Sequence, residues 1–105
     1  MEGGSSLPDL LKALASPHYI ERAEAARALV NLKAAAAQAL PDLLALRDDP
    51  SWLVRVQVPR ATVHLGASPE QAVPILRELL KDRDEVVRGY AAWALEKLGG
   101  GAPPG

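Results

Sequence analysis

The sequence predicts an all-α chain, a right-handed α-solenoid of three helix-pair repeats with about six helices in all. Two observations predict it. The first is a period: Pro8, Pro41 and Pro74 stand 33 residues apart, and Arg22, Arg55 and Arg88 keep the same step. Leu10, Leu43 and Leu76 follow it, as do Ala28, Ala61 and Ala94, and Leu32, Leu65 and Leu98. Repeats of about 20–50 residues mark stacked units, each too small to bury its own apolar face, whose cores merge. The second is composition. Hydrophobic residues make up 49%, mostly Ala, Leu and Val, with no Phe and only 4% aromatics. Small and unbranched side chains favour closely packed helices over sheets. The 105 residues are enough for a single domain with one core. The expected units are residues 5–37, 38–67 and 68–100, with 101–105 as a flexible tail.

Each unit reads as a helix A followed by a helix B. The A helices are expected at 6–15, 38–47 and 69–81, and the B helices at 17–33, 50–65 and 83–98. Ser16-Pro17 and Asp49-Pro50 place an acceptor at the N-cap and proline at the first helical position, where its missing N–H costs nothing. Asp82 with Glu85, and Ser68 with Gln71, have capping-box spacing. Gly99-Gly100-Gly101 should end the last helix. No Gly or Pro interrupts Lys33-Ala34-Ala35-Ala36-Ala37, so the first B helix has room to run on. Pro59 falls well inside the second B helix and should kink it by leaving the Arg55 carbonyl without its partner.

Spacing at i, i+3, i+4, i+7 gives the buried stripes. In the B helices these are Ala25, Ala28, Leu29 and Leu32, then Val54, Val58, Ala61 and Leu65, then Val87, Ala91, Ala94, Leu95 and Leu98. In the A helices they are Leu7, Leu10 and Leu14, then Leu40, Leu43 and Leu46, then Val73, Leu76, Leu79 and Leu80.

Several function classes fall away on composition. Without cysteine there is no disulfide or thiolate chemistry. No apolar run approaches the 18 or so residues of a membrane span. The opening MEGGSSLPDLL has an acid and no basic n-region, unlike a secretory signal, so the expected address is cytoplasmic. His18 and His64 occupy different repeat positions, near a helix start and a helix end. No His/Asp/Glu cluster has metal-ligand spacing, and no Gly-rich loop is built to cradle phosphate. Asp48/Asp49 and Asp82/Asp84 read as solvated caps. The expectation is a protein without catalytic residues, metal or cofactor.

The aligned units resemble HEAT repeats, above all the short HEAT-like type first noticed in phycobilisome lyases. The likeness is carried by Asp82-Arg83-Asp84-Glu85-Val86-Val87-Arg88, Ala91-Ala92, Ala94-Leu95 and Leu98-Gly99. The second unit matches with Asp49-Pro50, Val54-Arg55, Ala61 and Leu65-Gly66. The first keeps Arg22, Ala25-Ala26, Ala28-Leu29 and Leu32, but has Ser16 for the aspartate and Glu21 where the others have Val. The resemblance implies a structural ladder along the stack from an aspartate and the arginine six residues later. Asp49/Arg55 and Asp82/Arg88 match that spacing, while Arg22 has lost its acid.

The resemblance also implies that the B helices line a concave side. Their outward positions include Tyr19, Ala23, Arg27 and Val30, then Trp52, Val56, Arg60 and Val63, then Glu85, Gly89, Trp93 and Glu96. Tyr19, Arg27, Trp52, Val56, Arg60, Val63 and Trp93 form the candidate partner-binding face, rich in the residue types that dominate binding hot spots. Packing is the rival role: Trp52 can fold over the corner of its own unit, and Tyr90 and Trp93 can cover the end of the core.

The expected function is a small protein–protein interaction scaffold whose partner is another protein or a second copy in a homodimer. A nucleic-acid module is the alternative, with Arg27 and Arg60 in register. Trp93 breaks that row, Glu85 and Glu96 oppose it, and a net charge of −1 gives no general attraction for phosphate. Likeness to lyase-type repeats implies a third option, an accessory or chromophore-binding fragment, but one with no evident nucleophile. No membrane partner is expected.

Overall fold

The computed structural model describes residues 6–99, so the expected tail at 101–105 lies outside the described residues. The chain runs through α1 (Leu7–Ala13), α2 (Tyr19–Asn31), a 3₁₀ segment (Lys33–Ala39), α3 (Leu40–Leu44) and a 3₁₀ turn (Ala45–Asp48). It continues through α4 (Trp52–Arg55), α5 (Gln57–His64), α6 (Pro69–Leu79) and α7 (Glu85–Leu98). Among the described residues every regular element is helical.

The helices at the B positions start two residues later than the Ser/Asp signals suggest. Ser16 Oγ accepts from the His18 amide at 3.1 Å, Asp49 Oδ2 from Ser51 at 2.9 Å, and Asp82 Oδ1 from Asp84 at 2.9 Å. Each side chain therefore holds a tight turn before the helix rather than capping it, and the cap passes to His18, Ser51 and Asp84. Asp84 accepts from the amides of Val86 and Val87, so the Asp82/Glu85 capping box does not form. The Ser68/Gln71 box does, ahead of α6.

The first B helix does not run on. It stops at Asn31, and Lys33 turns the chain at φ 55 into the 3₁₀ segment, which kinks again at Ala36. Pro59 acts as expected: with no N–H to give the Arg55 carbonyl, the second B helix divides at Val56 into α4 and α5.

α1 packs on α2, α3 on α5, and α6 on α7. In addition, α2 packs on α4 and α5, and α5 on α7. One core cluster runs from Leu14 to Leu95. Leu29, Leu43 and Leu76 are its largest fully enclosed side chains, each contributing about 1.5–3 kcal/mol of burial. The stripes of α5 and α7 lie where expected, with Val58, Ala61, Val87, Ala91, Ala94 and Leu95 buried. That of α2 is rotated: Ala25, Ala26, Leu29 and Val30 are inside, Ala28 is half-buried, and Leu32 is exposed. The rotation turns α2 toward α4 and α5 as well as α1. Leu80, expected in the core, is 39% exposed. Because the middle helix has neighbours on both sides, everything from Val54 to Pro59 is buried, Arg55 and Gln57 included.

Candidate functional site

The most extensive polar construction among the described residues links side chains 27 residues apart. Arg22 Nε donates to Asp49 Oδ1 at 2.8 Å, and its Nη2 to Oδ2 at 3.1 Å. Arg55 repeats the grip on Asp82, Nε to Oδ2 at 2.8 Å and Nη2 to Oδ1 at 3.0 Å. In both, Nη1 turns back to the carbonyl six residues earlier, on Ser16 or Asp49, at 2.8 Å. A planar fork suits this task because one guanidinium satisfies a carboxylate bidentately and still reaches a backbone oxygen. Loss of the acid at Ser16 leaves Arg22 intact, since the residue there supplies only its carbonyl. Arg88 makes the same backward bond, Nη1 to the Asp82 carbonyl at 2.7 Å.

Burial of Asp82 pushes its carboxyl up, but hydrogen bonds from Arg55 and the Asp84 amide, with the charges of Arg55 and Arg83, outweigh that. The carboxyl is held below its ordinary value and stays ionised on its rung.

The expected binding face divides into three. Tyr19, Arg27 and Trp52 stand in solvent. Arg60, Val63 and Trp93 are half-buried. Arg60 Nη1 donates to Gln57 Oε1 at 2.9 Å. Val63 and Trp93 pack against the core, and Trp93 meets Tyr90 edge-on at 5.9 Å and His64 at 6.0 Å. Val56 does not belong to this face: it is only 6% exposed, enclosed with the rest of the middle helix. Val30 is buried for the same reason, because neighbouring B helices cover more of one another than a single core stripe suggests.

Tyr19 and Trp52 flank a groove of 510 Å³ between the starts of α2 and α4, with Pro17, Arg22, Pro50, Ser51 and Leu53 completing its walls. A second hollow of 200 Å³ adjoins it through Leu53, bounded by Ile20, Ala23, Glu24, Arg27 and Gln57. Ile20, Leu53 and Val86 are exposed apolar residues one period apart, and none of them belongs to the expected binding face. The signal was present: each is the second residue of its B helix and falls outside the core stripe, yet stays apolar at the 33-residue step. Among the described residues no group of three or more His, Cys, Asp or Glu side chains could hold a metal ion. No helix among them is long and apolar enough to cross a membrane.

A family model described as HEAT repeats matches residues 7–96. A search of curated proteins finds no match.

Proposed function

The chain belongs to the HEAT-repeat family, and from that premise we propose that it is a small protein-interaction scaffold. In this reading, residues 5–37, 38–67 and 68–100 are three units of one domain, stacked as a right-handed solenoid. HEAT repeats generally mediate protein–protein interaction. The observation that carries the reading here is the periodic row of exposed apolar side chains at the helix starts, Tyr19-Ile20, Trp52-Leu53 and Val86, with two adjoining grooves between them. An amphipathic or extended peptide segment would lay alternate apolar side chains over Leu53, with Trp52 as the anchor. Arg27 and Glu24, on the wall of the smaller groove, would set its polar register. The role is binding rather than catalysis, and the bound group is a protein segment rather than a cofactor.

The test is a selection from a random-peptide display library with this chain as bait. Selected peptides should lose about 2 kcal/mol of affinity on Trp52→Ala and more on Leu53→Asp, with the helical circular-dichroism spectrum unchanged. Peptides indifferent to both substitutions would place the binding surface elsewhere.

A further inference from the structure

The two ends of the described helix stack differ in a way that neither the ladder nor the grooves explain. Arg88 is fixed in the same backward bond as Arg22 and Arg55, yet among the described residues no carboxylate meets its Nε and Nη2. Its surroundings are open in the same sense. Ala26 and Pro59 are buried, while Ala92, one period on, is exposed. Leu14 is 6% exposed, and Leu80, two periods on, is 39% exposed. This end therefore presents an arginine fork already set for a carboxylate, beside uncovered apolar surface.

The opposite end carries complementary features. Ser16 holds the rung position of Asp49 and Asp82, down to the bond from the amide two residues on. Its hydroxyl donates to Glu21 Oε1 at 2.5 Å, so the Glu21 carboxylate stands one hydrogen bond outward from the rung. Glu21 and Glu24 rim a hollow of 340 Å³ whose floor includes Leu10, Ala13, Ala25 and Ala28. One period later the same helix face is Val54, Gln57, Val58 and Ala61, all buried. The hollow is thus the stacking face of the first unit, open where the second unit's is covered.

We propose that this chain associates head to tail with copies of itself, Arg88 of one copy gripping Glu21 of the next. Leu80 and Ala92 then pack toward the apolar floor between α1 and α2. The direction is right: within the chain each arginine reaches forward to the following unit, and Arg88 would reach forward to the next copy's first unit. Such a contact joins two different surfaces, so it need not close at two copies. It shares no lining residue with the Tyr19/Trp52 groove and only Glu24 with the smaller one, and its failure would leave the groove reading untouched.

Sedimentation velocity from micromolar to millimolar protein tests it. Expected is a mass that rises with concentration past the dimer and falls with added salt. Arg88→Glu, Arg88→Gln and Glu21→Arg should each weaken association about tenfold or more, with helicity retained. The charge-swapped pair Arg88→Glu/Glu21→Arg in one chain should restore it. A chain monomeric throughout would overturn the proposal. So would association that stops at a dimer, or that Trp52→Ala abolishes and Arg88→Glu leaves intact.

Discussion

Arg55 and Arg88 stand 33 residues apart and make the same backward bond to a carbonyl, yet one is sealed and the other open. The Arg55 side chain keeps 6% of its surface and Asp82 keeps 8%, with α2 on one side of the middle helix and α7 on the other. Local sequence sets the pose of the fork in both. Asp82 and α7 cover the first fork, while among the described residues no carboxylate covers the second, and burial decides what each contributes. An exposed pair contributes little, whereas stranding a buried charge is costly.

The largest expected effect exploits that contrast. Arg55→Ala removes two bonds to Asp82 and two to the carbonyls of Asp49 and Pro50, leaving a buried carboxylate without its fork. It should cost about 3–5 kcal/mol in urea unfolding, a large part of the stability of a domain this size. Arg88→Ala should cost under about 1 kcal/mol under dilute, monomeric conditions. Equal losses would mean that the neighbouring unit adds nothing to the rung.

A second contrast sets Val56 against Trp52, which the sequence placed on one face. Val56→Ala should cost about 2 kcal/mol for the methyl groups and the space they leave. Trp52→Ala, at an exposed site, should stay within about 0.5 kcal/mol of the parent's stability while weakening peptide binding by about 2 kcal/mol. A stability loss at Trp52 as large as that at Val56 would make the tryptophan a packing residue.

The Asp82 rung adds a smaller, pH-dependent effect. A carboxyl held low in the folded chain binds its proton more weakly than in the unfolded one. Its stabilisation is complete above the unfolded value of about 3.9 and is lost as pH falls through the lowered folded value. Asp82→Asn should flatten the acid limb of the stability profile. An acid limb identical to that of the parent would assign the dependence to other carboxylates.

These contrasts also show what could be read from the sequence. Its composition and spacing pointed to helices throughout, and the Ser68/Gln71 cap and the Pro59 break followed from local chemistry. Spacing along one helix could not show that Val30 and Val56 are buried, because the covering surface belongs to neighbouring helices. The late helix starts were hidden for a related reason: Asp49 and Asp82 are drawn to an arginine 27 residues back and to the amide two residues on. Ile20, Leu53 and Val86 were legible in principle. They keep the period and leave the stripe, a combination that points to a surface under a shared constraint.

The smallest prediction separates Lys33 from the glycines at the same step. Gly66 and Gly99 end their helices at φ 79 and φ 70, and the residue one period before Gly66 is Lys33, at φ 55. A left-handed conformation costs a residue with a Cβ roughly 1–2 kcal/mol, and glycine gives back part of that through the greater freedom of its unfolded chain. Lys33→Gly should therefore stabilise the protein by about 0.5–1 kcal/mol. The reverse experiment isolates the backbone contribution, since a Cβ at Gly66 meets nothing within 4 Å. Gly66→Ala should lose stability from conformation alone. If Lys33→Gly lowered the urea midpoint while Gly66→Ala left it unchanged, the turn would be set by the 3₁₀ segment that follows rather than by the residue at the left-handed position.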